Sequence, residues 1–247
     1  MAGIEWKVVP ICEKQLRDVN ASDILNNGLY RKCNIYKGGG GYDKFADIYN
    51  KRKKNDIDLS VQFVVQLYGC TLDCPYCYVT RDGVLGNYCS ISTKQLVKDF
   101  MNSGLNVFHL MGGAPAIYIE NWIDILRHID TDYVFHSDLL LVEKEYDTNT
   151  LKELAQYKNS LYAVSVKGST KEEFKNNTRT EFNQELFWKN LENLVRYNID
   201  FYITYTGMSE QSIDRFKQEL KERLPSDYDN ILKDSFNIQL VKYAALD

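Results

Sequence analysis

The sequence predicts an α/β protein built from six parallel strands with helices between them. Two observations support this class. Short apolar, strand-like runs alternate with helix-like segments from residue 60 onward, and capping residues precede some of those helix-like segments. Strands separated by helices imply parallel βα units with right-handed crossovers. At 247 residues, 44% of them hydrophobic, the chain is long enough to bury a sizeable core.

The predicted elements follow in regular order along this part of the chain. Strands are expected where apolar and β-branched residues run together, over 61–67, 106–111, 133–136, 161–166, 199–205 and 236–243. Helices are expected after Ser92 and over 119–128, 150–157, 183–197 and 213–224. Ser92 and Gln95 form a capping box, and residues 169–172 have the same form.

The first part of the chain differs from the rest. We expect residues 1–59 to form an N-terminal extension or cap and residues 60–247 to form the main domain. Its predicted elements are a short edge strand over 6–10 and a short helix over 13–19. The four glycines at 38–41 and the basic run at 51–54 indicate solvated loops. The alternative is a mobile lid whose charge meets an acidic substrate or partner.

The composition points to a globular protein of the cytoplasm. No apolar run approaches the ~18 residues of a membrane span, so no membrane contact is expected. The first residues lack the basic and apolar regions of a secretory signal. Six cysteines without an export signal fit a reducing cytosol. A net charge of -4 argues weakly against an extended nucleic-acid surface.

Three cysteines, Cys70, Cys74 and Cys77, stand directly after the first strand predicted in the main domain. A structural zinc site usually takes four ligands in two pairs, but only Cys74 and Cys77 form such a pair. A four-thiolate ferredoxin site would need a fourth cysteine, for which Cys89 is the nearby candidate. The loop therefore favours a [4Fe–4S] cluster with one iron left open, with the zinc and ferredoxin-like sites as alternatives. The other cysteines are isolated and are expected to be packing residues: Cys12, Cys33 and Cys89.

This spacing, with the aromatic Tyr76 before the third cysteine, resembles the signature of the radical S-adenosylmethionine (radical SAM) enzymes. The resemblance implies that Cys70, Cys74 and Cys77 hold the cluster, and that S-adenosylmethionine (SAM) chelates the open iron through its amino and carboxylate groups. It also implies a partial (βα)6 TIM-like barrel. The implied chemistry is reductive cleavage of SAM to a 5′-deoxyadenosyl radical, which abstracts hydrogen from a substrate.

Parallel barrels place their chemistry at the carboxyl ends of the strands. After the second strand, Gly112, Gly113, Ala114 and Pro115 resemble the Gly-Gly-Glu-Pro segment of the family. Backbone groups of that segment accept hydrogen bonds from the amino group of SAM, and glycine lets them come close. Ala114 stands where the family usually has glutamate, so any contribution from that carboxylate is absent.

The third strand ends in His136, Ser137 and Asp138. By position, Ser137 and Asp138 resemble polar family residues near the SAM ribose. A capping or turn role for both is an equal alternative. His136 could equally be a core histidine with satisfied hydrogen bonds.

The fourth strand ends in Ser165 and Lys167, which alternation places on the same side of the strand. This pair resembles an aspartate-x-lysine element of short activating enzymes, with Ser165 in place of the aspartate. A SAM or substrate carboxylate would give an inward Lys167 a negative partner, whereas the alternative is a solvated lysine at the barrel mouth. Tyr205, at the end of the fifth strand, could face the substrate. Arg179 is expected to form a surface salt bridge.

For the substrate, the sequence predicts a class. A self-supplied cap favours a small molecule or a peptide, and an electron donor such as a flavodoxin or ferredoxin is implied. One alternative is an activase that installs a glycyl radical on a partner enzyme. Alternatives of another class are a ferredoxin-like electron carrier and a zinc-binding module. A nucleic acid partner is not expected.

Overall fold

The structure, a computed structural model, describes residues 4–11, 22–25, 28–35, 44–77, 79–207, 209–233 and 236–240. The strands are β1 (Glu5–Val8), β2 (Ser22–Leu25), β3 (Tyr30–Asn34), β4 (Val61–Gln66), β5 (Cys89–Ser92), β6 (Val107–Met111), β7 (Val134–Leu139), β8 (Ser160–Val166), β9 (Phe201–Gly207) and β10 (Phe236–Leu240). The helices are α1 (Phe45–Lys53), α2 (Arg81–Leu85), α3 (Thr93–Ser103), the 3₁₀ helix Pro115–Asn121, α4 (Trp122–Leu126), α5 (Thr148–Leu154), α6 (Lys171–Thr178), α7 (Gln184–Arg196), α8 (Glu210–Arg223) and α9 (Tyr228–Lys233).

The main sheet has eight strands in the order β10-β9-β8-β7-β6-β4-β3-β2. All six predicted strands are present, and they pair with one another in parallel. Because β10 and β2 are at opposite edges, the sheet is an open, partial barrel rather than a closed one. The predicted fold class is confirmed.

Two strands at one edge were not predicted. β3 pairs antiparallel with β4, and β2 pairs antiparallel with β3. Their sequences, SDIL and YRKCN, are too polar to give a strand signal. Both strands come from the predicted N-terminal extension and continue the sheet of the predicted main domain. The division at residue 59 stays a prediction.

The two faces of the sheet bury different sets of residues. On the helix face, Phe135, Tyr162 and Ile203 belong to one core cluster with side chains of α3 and α7. On the inner face, Val134 and Leu161 pack with α1. This alternation follows from the two-residue period of a strand, and it decides which residues can reach a ligand inside the barrel.

The basic run 51–54 was expected to be a loop or a lid, but its first three residues form the last turn of α1. Lys53 Nζ lies 2.6 Å from a carboxylate oxygen of Asp200, and Arg52 pairs with the same carboxylate. Asp200 directly precedes β9, at the amino ends of the parallel strands. These basic residues therefore lie at the opposite end of the strands from the cysteine loop.

The predicted short elements are mostly confirmed. Residues of the expected edge strand form β1, which pairs with β5. Ser92 caps α3 and accepts a hydrogen bond from the Gln95 amide, whereas α6 is capped by Thr170 rather than by Ser169. The expected helix 13–19, the glycines 38–41, Cys12 and the end of the sixth strand lie outside the described residues. No helix in the described part of the chain is both long and apolar enough to cross a membrane.

Candidate active site

The cysteine loop follows β4, at the carboxyl end of this parallel strand. The Cys77 amide donates a hydrogen bond of 3.0 Å to the Cys74 carbonyl, which closes a tight turn between these two cysteines. Cys70, Cys74 and Cys77 are half-buried, and none of them forms a disulfide. Cys70 and Cys77 also pack against the small apolar cluster of Ile11, Val79 and Val84.

Burial controls the ionisation of the thiols. It raises the pKa of Cys70 to about 12, to which the nearby thiolates of Cys74 and Cys77 add. Burial also raises the pKa of Cys74, although the ammonium of Lys167 opposes this change. Binding of iron must therefore displace protons from these buried sulfurs. The three thiols lie on one shielded loop and are near enough to affect one another electrostatically. Within the described residues, no three His, Cys, Asp or Glu side chains are already placed to bind a single metal ion. The residue types still match the ligand set of a [4Fe–4S] cluster with one open iron, which three thiolates would hold.

The loop is anchored by its neighbours at Leu72 and Asp73. Arg81 Nη1 donates to the Leu72 carbonyl at 2.9 Å, and the Asp73 amide donates to the Thr178 carbonyl at 2.9 Å. The Asp73 carboxylate lies 3.5 Å from Arg179 and 3.8 Å from Arg81. Arg179 thus forms the expected surface salt bridge, and its partner is in the cysteine loop itself.

Lys167 and Tyr76 lie together beside the second cysteine. Lys167 Nζ is 5.5 Å from the centre of the Tyr76 ring, in the range of a cation–π contact. The same ammonium acts on the Cys74 thiol, as its effect on the pKa of Cys74 shows. Two residues predicted from different parts of the sequence are therefore brought to one place.

The glycine segment after β6 packs tightly against the start of the cysteine loop. Gly112 and Gly113 have φ of 77° and 60°, which favours glycine. A Cβ on Gly113 would lie 2.4 Å from the Gly69 carbonyl oxygen and 2.5 Å from that of Leu67. The Ala114 amide donates to the Gly69 carbonyl at 2.7 Å. Only glycine fits at position 113, and the segment holds the chain that leads into Cys70.

Two further predicted residues, Asp138 and Ser165, lie on the inner face near the strand ends. Asp138 follows His136 by two residues, and His136 contacts α1 on that face. Ser165 Oγ lies 3.4 Å from Thr204 Oγ1 on the neighbouring strand. These side chains share a face with Lys167 because alternate residues of a strand point the same way.

Ser137 and Tyr205 lie on the helix face instead. Ser137 Oγ donates to the Leu110 carbonyl at 3.1 Å, and Tyr205 belongs to the core cluster of the helix layer. The Tyr205 hydroxyl bonds Glu173 and Ser212. A SAM or substrate contact through these two side chains does not agree with this geometry. Both residues stand near the ends of their strands, but the two-residue period turns their side chains away from the barrel interior.

His136 is a core histidine. Its ring stacks on His109 and on Phe45, with ring centres 4.0 Å apart in both pairs. Its nitrogens lie 3.3 Å from Gln62 Oε1 and 3.1 Å from the Tyr202 hydroxyl. Burial lowers the pKa of His109 to about 3, and it also lowers that of His136 well below the usual value. Both rings are neutral members of the inner core.

Sequence reasoning missed two residues at this site. Asn177, which is 1% exposed, donates from Nδ2 to the Lys167 carbonyl at 2.6 Å and to the Thr206 carbonyl at 3.1 Å. Glu143, in the loop after β7, faces Thr71 beside Cys70. Neither residue belongs to a motif, and each comes to the site only through tertiary folding.

Comparison with known proteins identifies the family. The model of the radical SAM superfamily matches residues 64–222. Similar solved structures include anSMEcpe with bound AdoMet, at 17% identity and a TM-score of 0.45, covering 69% of this chain and 47% of that chain. SuiB from Streptococcus suis has 11% identity and a TM-score of 0.50, with 70% and 47% covered. TsrM from Kitasatospora setae, a radical S-adenosylmethionine methyltransferase, has 12% identity and a TM-score of 0.47, with 69% and 32% covered.

The alignments span less than half of each of these solved chains. Comparison with the curated proteins gives no match. At 11% identity, the likeness to SuiB shows the fold alone, whereas the family model extends from within β4 to within α8 and covers more than half of the sequence. The chain therefore belongs to the radical SAM superfamily and is an enzyme that uses a [4Fe–4S] cluster and SAM.

Proposed function

We propose that this enzyme abstracts a hydrogen atom from a small molecule or a peptide bound on the inner face of the partial barrel. When bound, the cluster and SAM together supply one chemistry, the reductive cleavage of SAM to a 5′-deoxyadenosyl radical. The single observation that carries the proposal is the contact of Lys167 with Tyr76 of the cysteine loop, at the carboxyl ends of the strands.

Each residue at the site has a role in this proposal. Cys70, Cys74 and Cys77 hold the cluster, and the apolar cluster behind them keeps water from it. Backbone carbonyls of residues 112–114 receive the amino group of SAM, and Gly113 lets this segment pack against the start of the cysteine loop. Lys167 pairs with a carboxylate of the ligand, and Tyr76 holds the lysine in place.

The inner face supplies groups for the rest of the ligand. Asp138 offers a carboxylate to ribose or substrate hydroxyls, and Ser165 offers a hydroxyl beside that of Thr204. α1 covers this face near the amino ends of the strands, through Phe45 and Tyr49. Residues 1–59 act in this proposal as a cap that leaves room for a small molecule or peptide. The setting is the cytoplasm, with a flavodoxin or ferredoxin as electron donor.

The test is anaerobic reconstitution with iron and sulfide, followed by dithionite and SAM. 5′-Deoxyadenosine is then measured by mass spectrometry in the presence of candidate small molecules and peptides. The proposal is supported if 5′-deoxyadenosine forms only when all three cysteines are present. One of the candidate molecules should change its mass in the same reaction. The Cys89→Ala variant is the matched control, because Cys89 is exposed on β5.

Other outcomes would assign another function. SAM cleavage that occurs only with a partner enzyme and leaves a persistent glycyl radical would identify an activase. A stable cluster without SAM binding would indicate an electron carrier, and tight zinc binding without iron uptake would indicate a zinc module.

A further inference from the structure

We propose that the Glu143 carboxylate is a binding residue for the amino group of SAM. The inference rests on the proposed function, since it needs SAM at the cysteine loop. It concerns a residue outside every motif of the sequence, on a loop between β7 and α5.

Glu143 has an unusual environment for a carboxylate. Both of its oxygens are shielded from solvent, and the donors that face them are the hydroxyl and the amide of Thr71. These two donors are uncharged, whereas buried carboxylates in proteins usually have a cation as partner. Because an ionised carboxylate has about four acceptor sites, Glu143 can accept further hydrogen bonds from a cationic N–H group.

The position of Glu143 is next to the first cysteine. Its carboxylate faces the hydroxyl and amide of Thr71, and its negative charge contributes to the raised pKa of Cys70. Lys167 acts in the same way on Cys74, with the opposite sign. The cysteine loop thus has a negative group near one thiol and a positive group near another. A ligand that carries an amino group and a carboxylate on the same carbon matches this pair of charges.

The loop that carries Glu143 is held in place by several contacts. Asn190 Nδ2 donates to the carbonyls of Leu141 and Lys144, both at 2.8 Å, and its Oδ1 accepts from the Tyr146 amide at 3.0 Å. Such a fixed loop can present a carboxylate without a loss of conformational freedom on binding.

A second contact places this loop against the glycine segment. Lys144 Nζ donates to the Ile117 carbonyl at 2.7 Å and to Glu120 at 2.6 Å. Ile117 follows Ala114 by three residues, and the Ala114 amide is bonded to Gly69 in the approach to Cys70. Three segments therefore converge here, and Glu143 lies where the cysteine loop meets the segment proposed to receive the amino group.

The experiment compares Glu143→Gln with Glu145→Gln in the anaerobically reconstituted enzyme. Glu145 is an exposed residue of the same loop, paired with Lys189 at 2.7 Å. Dissociation constants are measured for SAM and for methylthioadenosine, which keeps the adenosine and lacks the amino acid. Iron content is measured first, so that the cluster and the SAM contact are read separately.

We expect Glu143→Gln to keep its iron and to bind SAM at least about tenfold more weakly, with methylthioadenosine binding changed less than about twofold. Glu145→Gln should match the wild type, and Glu143→Asp should fall between the two. Unchanged SAM affinity in Glu143→Gln would overturn the inference, as would an equal loss for methylthioadenosine. Loss of iron in Glu143→Gln alone would show that Glu143 stabilises the cysteine loop, which would contradict a role in SAM binding. Failure of the wild type to bind SAM would contradict the proposed function itself.

Discussion

At the scale of single residues, the proposed site combines three cysteines assigned to the cluster with a lysine assigned to SAM. The three cysteines are shielded thiols on one loop, and burial raises the pKa of Cys70 and Cys74. Lys167 is a cation beside the same loop, and it is not assigned as a ligand of the cluster. Removal of a cysteine should therefore abolish the cluster, whereas removal of the lysine should leave it intact.

We predict that Cys70→Ala, Cys74→Ala and Cys77→Ala each lose iron binding and SAM cleavage, because two thiolates cannot hold the cubane. Cys89→Ala should keep both. Iron and sulfide analysis after anaerobic reconstitution checks this prediction, and normal iron content in any of the first three variants would overturn the site assignment.

Lys167→Ala should keep a normal cluster and bind SAM about tenfold more weakly, a loss of roughly 1.4 kcal/mol, because a charge-assisted contact disappears. Lys158→Ala is the control, because Lys158 precedes β8 at the opposite end of the barrel. Equilibrium binding of SAM to the reconstituted variants is the measurement. Equal affinities for the two variants would place Lys167 outside the pocket.

At the scale of elements, apolar runs determined what could be predicted. The parallel strands β4, β6, β7, β8 and β9 are buried on both faces, so their sequences are nearly continuous apolar runs, and all of them were predicted. β3 was missed because its inward residue is Arg31, which is 3% exposed and breaks the expected pattern. The cysteine and glycine segments were predicted because local spacing carries their chemistry. Glu143 and Asn177 were not, because only tertiary contacts give them a role.

Asn177 supports a prediction for α6. Asn177→Ala removes hydrogen bonds to two buried strand-end carbonyls and should cost about 1–3 kcal/mol of unfolding free energy. It should also weaken SAM binding severalfold, since one of these carbonyls belongs to Lys167. Asn159→Ala is the matched control, because Asn159 is also buried and donates to the Tyr133 carbonyl at 2.9 Å, at the other end of β8.

Denaturant unfolding and SAM binding are measured for both variants. We expect both to lose stability and only Asn177→Ala to lose SAM affinity. A similar loss of affinity in both would show that the effect comes from general destabilisation.

At the scale of the whole molecule, the inner core contains two neutral histidines that link stability to pH. His109 and His136 are completely shielded and stacked on each other. Burial lowers the pKa of His109 to about 3, while the unfolded chain has the usual value near 6.5. Below that value the unfolded state binds protons that the folded state excludes, so stability falls as pH decreases from about 6.5 toward 3.

We predict that His109 causes a loss of about 1.6 kcal/mol of unfolding free energy between pH 6.5 and pH 5, and that His136 causes a loss in the same direction. His109→Gln should therefore reduce the pH dependence clearly. Denaturant unfolding at both pH values checks this. The same slope in wild type and His109→Gln would contradict the assignment of a buried neutral ring.

The central claim is that the three-cysteine loop holds a cluster with one iron open to SAM. The most direct measurement is the electron paramagnetic resonance spectrum of the reconstituted, dithionite-reduced enzyme with and without SAM. We predict a [4Fe–4S]⁺ signal whose g values change when SAM is added, because SAM becomes a ligand of the open iron. A cluster signal that is identical with saturating SAM, or no cluster signal at all, would contradict the account.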